Sequence, residues 1–280
     1  MKKFLFFAVA ILALTSCGDS DPKSELTIKQ TLISRNFVEG STNVNLTEGD
    51  YTFVLDLVGM KVNVTGHKVT LPGISGETTF TMSEMSLKPG TNQNKYWYTF
   101  EAASVTAKVN DVVNPDLKIT NVKGSITAFP PYQLYVQYTV ADNNNIIATP
   151  QTTLFSYVAT TISQIGSTDK PYENNDAMYT VVLDSKKNMA KITIFNAKFA
   201  PNMPYAEMEL RDIPFEATPG AFKLKADKIT PYISNVPYEK YEITQLSGLM
   251  YSREMSMSFV CGGIYNTTSN AYVFKPEGIK

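Results

Sequence analysis

Two six-residue stretches, YTFVLD at Tyr51–Asp56 and YTVVLD at Tyr179–Asp184, differ at one position. In each, tyrosine, a β-branched or aromatic residue and leucine alternate with threonine, valine and aspartate. Side chains two apart share one face of an extended chain, so both stretches read as half-buried strands. Their recurrence makes duplication the first question to settle. After a two-residue adjustment the copies stay in step at a separation of 130: Lys61 with Lys191, Lys68 with Lys198, Pro89-Gly90 with Pro219-Gly220. The separation then drops to 124, matching Phe100 with Leu224, Ala102 with Ala226, Val105 with Ile229, Ile119-Thr120 with Ile243-Thr244 and Gly124 with Gly248. The drop places an insertion in the first copy at Thr91–Lys95, TNQNK, a polar segment suited to a loop.

Most of the remaining chain also reads as short strands. Lys61–Thr65 and Lys68–Leu71 alternate across Gly66-His67, a pair that fits a type II′ hairpin turn. Period-two runs follow at Tyr132–Val140, Met208–Leu210, Phe222–Ala226 and Met255–Cys261, with breakers such as Pro130-Pro131 and Pro201-Asn202 between them. The expected fold is all-β: two tandem antiparallel β-barrel or sandwich domains from an internal duplication, closure removing the exposed edges that invite aggregation. The order YTVVLD, AKITIFNAKFAPNMP, AEMELRDIPFEATPG, FKLKADKITP and YEITQLSG, followed by a Met- and Phe-bearing strand, resembles the calycin-like β-barrel domain of Bacteroidetes lipoproteins of unknown function. That resemblance implies a lipocalin-shaped barrel with room for an apolar ligand. The Gly-x-Trp signature of true lipocalins is missing near the first strand, since the single tryptophan is Trp97, so ligand transport does not carry over.

The N terminus fixes a location. Lys2 and Lys3 precede an apolar run, Phe4–Leu14, which is of signal-peptide length and short of the roughly 20 residues that a spanning helix needs. Leu14-Thr15-Ser16-Cys17 then reads as a bacterial lipobox, making Cys17 the lipidation site and new N terminus. Two or three acyl chains, at about 0.8 kcal/mol per buried methylene, hold a protein on a membrane stably. The expected organisation is a lipoprotein signal peptide at 1–16, an acidic tether at 17–27, a first β-barrel-like domain at 28–158 and a second at 159–280. The address is the outer membrane, lipid-anchored, with cell-surface exposure left open.

Without the signal peptide the chain loses Lys2 and Lys3 from its 25 basic residues against 26 acidic ones, a balance of about −3. Nucleic-acid binders show clustered basic charge, so no nucleic-acid partner is expected. With Cys17 acylated, Cys261 stands alone, and in MSMSFVC it shares a face with Met255, Met257 and Phe259, as a buried apolar thiol would. A nucleophilic thiol wants a histidine, and the lone His67 is assigned to an exposed turn, which also excludes a triad or a histidine-based metal cluster. Carboxylate pairs need no histidine. Glu207, Glu209 and Asp212 cluster, whereas Asp56 and Asp184 end matching strands and read as turn caps. The aromatic run Tyr96–Phe100 offers Tyr96 and Trp97 as speculative ligand-binding residues. Strand alternation sends Trp97 away from the core, as a platform for a sugar or protein partner, or as packing on a sheet surface or domain interface.

The functional expectation is a non-enzymatic envelope lipoprotein, without catalytic residues, metal or cofactor, that binds a small apolar or carbohydrate ligand or a protein partner. The alternative is a structural or assembly component of an outer-membrane complex. A carboxylate-based glycan hydrolase is the remote third.

Overall fold

The structure is a computed structural model and describes residues 25–41, 43–91, 97–128, 132–141, 143–166 and 169–271. The first barrel is built from β1 (Glu25–Val38), β2 (Val44–Asp56), β3 (Lys61–Thr70), β4 (Glu77–Pro89), β5 (Trp97–Val109), β6 (Val112–Thr127), β7 (Leu134–Val140) and β8 (Asn144–Pro150). These pair in sequence order, and β8 returns to β1 to close the ring. The second comprises β9 (Thr152–Ile165), β10 (Tyr172–Asp184), β11 (Met189–Ala197), β12 (Ala206–Thr218), β13 (Ala221–Ile229), β16 (Ile243–Met250), β17 (Met255–Cys261) and β18 (Tyr265–Ala271). It closes through β18 on β9 and β11 on β12. A small hairpin, β14 (Tyr232–Ile233) and β15 (Val236–Pro237), is added to β12. All pairings are antiparallel, as the duplicated β pattern requires.

Alternation sorts each wall into an inside and an outside. Tyr51, Phe53 and Leu55 point into the first barrel, and Tyr179, Val181 and Leu183 into the second, all buried. The inward side chains of each barrel merge into one buried cluster, so the lumens are filled with protein. The Met255–Cys261 strand behaves as its sequence dictates, with Met255, Met257, Phe259 and Cys261 buried.

The duplication is real, but its register differs from the sequence alignment. Strand pairing keeps the separation at 128 from Tyr51/Tyr179 through Val64/Ile192, Phe80/Met208 and Leu87/Phe215. The adjustment to 130 therefore falls away: Lys61 faces Asp56 as Met189 faces Asp184, so Lys61 matches Met189, not Lys191. Identities at Lys and Pro-Gly carry less register information than the ladder, which fixes which residues face each other. From Phe100/Leu224 the separation is 124, as expected, so the first copy is four residues longer here, not six. Among 91–95, only Thr91 is described.

Two further expectations change. Gly66-His67 is no hairpin turn, because β3 runs unbroken from Lys61 to Thr70. The pair sits at a bulge where the register against β4 shifts and Lys68 takes φ 52°. Gly66 is needed because a Cβ there would lie 2.5 Å from the Phe80 ring. The barrel joint also moves. Strand β9 crosses residue 158 without a break and pairs with β10 and β18, so the second barrel starts at Thr152 and the joint is Gln151. Likewise β1 begins at Glu25, inside the expected tether.

Candidate functional site

Trp97 faces outward from the first barrel, as alternation demands, yet it is 2% exposed. It belongs to the buried cluster of the second barrel, and its Nε1 has no hydrogen-bond partner among the described residues. It is thus interface packing and cannot serve as an exposed platform. Polar contacts also join the two barrels. Gly220 N donates to Ser125 Oγ (2.9 Å), Thr149 Oγ1 donates to Ser185 Oγ (2.9 Å), and Ser185 Oγ donates to Pro150 O (2.6 Å). Tyr96 and Cys17 lie outside the described residues.

The acidic candidates divide by role. Asp56 Oδ1 accepts from the backbone of Val58 and Gly59, and Asp184 Oδ1 from that of Lys186 and Lys187, at 2.8–3.1 Å. Both are turn caps in matching corners. Glu207 is exposed, and Glu209 is paired with Lys191 (2.9 Å) and with Arg211. Lys191's hydrogen bond, aided by Arg211, holds the Glu209 carboxyl below the usual carboxylate range. His67 is half-buried within β3, with Nε2 3.4 Å from Thr52 Oγ1. Burial pushes the Cys261 thiol up to about 12, which keeps it in its unreactive form.

Among the described residues, the largest opening runs along the seam between β12 and β13. Their ladder holds four rungs, from Thr218 opposite Ala221 to Phe215 opposite Leu224, and then stops. The next residue of β12 is Pro214, which has no N–H to offer a ladder. Beyond it the strands diverge. Two clefts open along the seam, one of about 500 Å³ over Gly248 and Leu224, the other of about 920 Å³ between Arg211–Pro214 and Lys225–Ile229. Both reach Pro214 and Lys225. Asp212 and Asp227 both line the larger one. The seam's far end is sealed by the β14–β15 hairpin, whose turn residues Ser234 and Asn235 have positive φ, as a tight two-residue hairpin turn requires. Arg211 lies over the Tyr232 ring at 3.9 Å and donates to Asn235 Oδ1 (3.0 Å), fixing that hairpin against the cleft wall. Strand β13 pairs with β16 on its other side, so its cleft-facing edge at Lys225–Ile229 is the unpaired one.

Sequence reasoning did not find this seam. Its one local trace was a proline in mid-strand, Pro214 in RDIPFEAT, opposite the charge-rich FKLKADK of β13.

Comparison with known proteins adds the following. Residues 1–17 match the family described as the prokaryotic membrane lipoprotein lipid attachment site, so the chain carries such a site ending at Cys17. No curated protein matches the chain. Among solved structures, the chain is similar to the isotype 1 transferrin binding protein B from serogroup B Neisseria meningitidis, at 9% identity and a TM-score of 0.28, over 91% of this chain and 77% of that one.

Proposed function

We propose that this chain is a non-enzymatic lipoprotein of the outer membrane, acylated at Cys17, that holds an extended segment of a protein partner in the β12–β13 seam. One observation carries the reading: the edge of β13 at Lys225–Ile229 has no ladder partner on the cleft side. Unpaired strand edges recruit extended peptides by main-chain hydrogen bonding, with side chains on alternate positions supplying selectivity. The rim carries both signs of charge, from Arg211, Lys225 and Lys228 to Asp212 and Asp227, which suits a polar peptide. Packed lumens favour this wall cleft over the barrel interior as the place for a ligand.

The test uses the lipidated chain in its own envelope, with a photo-crosslinking residue at Lys225 or at Glu101, its counterpart on β5. The expected product is a defined partner segment joined at Lys225 and not at Glu101. A synthetic peptide of that segment should then slow amide exchange at 225–229. Equal labelling from both positions, or unchanged exchange, defeats the proposal.

A further inference from the structure

A second recessed site lies on another wall of the second barrel, where β10 and β11 each carry a bulge. In the pairing of β10 with β9, Asn174 is opposite Thr161 and Ala177 opposite Ala159, so Asn175 and Asp176 share the single residue Thr160. In the pairing of β11 with β12 the register slips between Ile194 and Ala197, and Asn196 takes φ 54°. Bulges re-aim side chains, and they are common beside functional sites.

Side-chain amides tie these two bulges together. The buried Asn174 donates through Nδ2 to Asn196 O (2.9 Å), and its Oδ1 accepts from Asp176 N (3.0 Å). Asn196 Nδ2 donates back to Asp176 O (3.1 Å), and Thr160 Oγ1 donates to Asn175 Oδ1 (2.8 Å). Asn175 Nδ2 also donates to Glu173 Oε1 (2.8 Å), so the amide groups of Asn175 and Asn196 and the backbone of Asp176 are held before anything binds, and the Asp176 carboxylate projects from that fixed backbone. The first barrel has no such arrangement on its matching strand, since β1 and β2 pair without a slip from Glu25–Asp56 to Phe37–Val44.

These residues border a notch of about 470 Å³. Its lining joins Asn175, Asp176 and Asn196 to an apolar set, Val158, Met178 and Tyr205, which are 66%, 45% and 55% exposed. The Lys198 ammonium lies over the Tyr205 ring, 4.7 Å from its centroid, and 5.8 Å from the Tyr172 ring, which steadies Tyr205. A flat ring and two apolar side chains beside fixed amide groups and an exposed carboxylate match a ligand with one C–H face and a polar edge. A pyranose ring has this shape.

We infer that the notch bounded by Tyr205, Met178, Asp176 and Asn196 is a binding site for a neutral saccharide. The sugar's C–H face lies on Tyr205 and Met178, and its hydroxyls bond to Asp176, Asn175 and Asn196. The site lies apart from the β12–β13 seam and stands whether or not that seam binds a peptide.

Isothermal titration of the mature chain with maltohexaose, cellohexaose, laminarihexaose and mannohexaose, each in turn, tests the inference. Saturable binding of at least one is expected, weakened about tenfold or more by Tyr205→Ala, the loss typical of an aromatic anchor. Asp176→Asn should weaken it as well. Both side chains are exposed, so the melting temperature should stay within that of the parent chain and exclude misfolding as the cause. No saturable binding of any of the four, or binding that both substitutions leave unchanged, overturns the inference.

Discussion

The fourth and fifth strands of the two barrels start from one plan and end differently. In the first barrel Ser86 of β4 lies opposite Glu101 of β5, the strands part over a few residues, and pairing resumes at Thr81 opposite Lys108 and Phe80 opposite Val109. In the second, the position of Ser86 is Pro214, pairing stops one rung earlier, and it does not resume. The notch above the paired glycines follows the same contrast. Over Gly124 it is about 110 Å³, narrowed by the Phe100 ring and bordered by Pro219 of the second barrel; over Gly248, where Leu224 replaces Phe100, it is about 500 Å³. A duplicated wall thus becomes a sealed wall or a cleft through a proline and a change of one core side chain. The closed wall lies against Pro219 of the neighbouring barrel, and the other wall is open to solvent.

Trp97→Ala is the severest way to break that division of labour. The second barrel has Ala221 at the matching position, so the substitution makes the copies alike there. It removes a side chain that sits on one barrel and packs in the cluster of the other. A loss of about 3–5 kcal/mol is expected, and calorimetry should show the two barrels melting as separate transitions. A single transition at the parent temperature would mean that Trp97 does not couple them.

The paired glycines sharpen the comparison within the walls. A Cβ at Gly124 would lie 1.9 Å from Phe100 Cζ, so Gly124→Ala must drive the ring out of place, at about 1–3 kcal/mol. At Gly248 the nearest atom, Leu224 Cβ, is 3.3 Å away, and Gly248→Ala should cost less than about 1 kcal/mol by denaturant unfolding. Equal costs would show that Phe100 does not seal the first wall.

The repeated tyrosines predict a smaller asymmetry. Tyr51 Oη contacts Ser34 Oγ (3.0 Å) and Tyr138 Oη (3.3 Å), while Tyr179 Oη contacts Ser269 Oγ (2.6 Å) and Thr161 Oγ1 (3.2 Å). Burial pushes both phenols above their ordinary range, so both stay protonated at neutral pH. Tyr179→Phe leaves Thr161 and Ser269 bonded to each other at 2.9 Å, whereas Tyr51→Phe strands two buried hydroxyls. The expected costs are about 1 kcal/mol and about 2 kcal/mol, since an orphaned buried group costs more than a lost bond. The reverse order would require a different hydroxyl network in the first barrel.

What could be read in the sequence is what period-two alternation carries. The strand type, the Asp56 and Asp184 caps and the inward face of Met255–Cys261 all follow from spacing within a few residues, and the duplication follows from the recurrence of such a pattern. Gly66-His67 misled because a glycine beside a polar residue suits a bulge as well as a turn, and only the Phe80 ring on the neighbouring strand decides between them. Alternation put Trp97 on the correct face, but what covers it comes from the other barrel, beyond any local pattern. Residues 152–158 read as the end of the first barrel for a similar reason: a closing and an opening strand have the same alternation, and only their partners, here β10 and β18, differ. The seam escaped because it is a failure of pairing between strands, announced by Pro214 alone.

The mildest comparison replaces a residue by its own counterpart. Cys261 on β17 occupies the place that Val140 holds on β7, each opposite the matching isoleucine, Ile243 or Ile119. A well-packed apolar neighbour set accepts near-isosteric exchange, so Cys261→Val should shift stability by about 1 kcal/mol or less near neutral pH. The difference should emerge in alkali. The unfolded thiol loses its proton near 9.0 and the folded one near 12, so between those values the unfolded chain binds fewer protons and stability falls as pH rises. Cys261→Val lacks that proton and should therefore lose less stability than the parent chain between pH 9 and pH 12. Denaturant midpoints measured across that window for both proteins give the result: parallel curves would mean that the thiol is not held neutral by the core, and curves that part above pH 9 would show that the copy with valine has the more alkali-resistant wall.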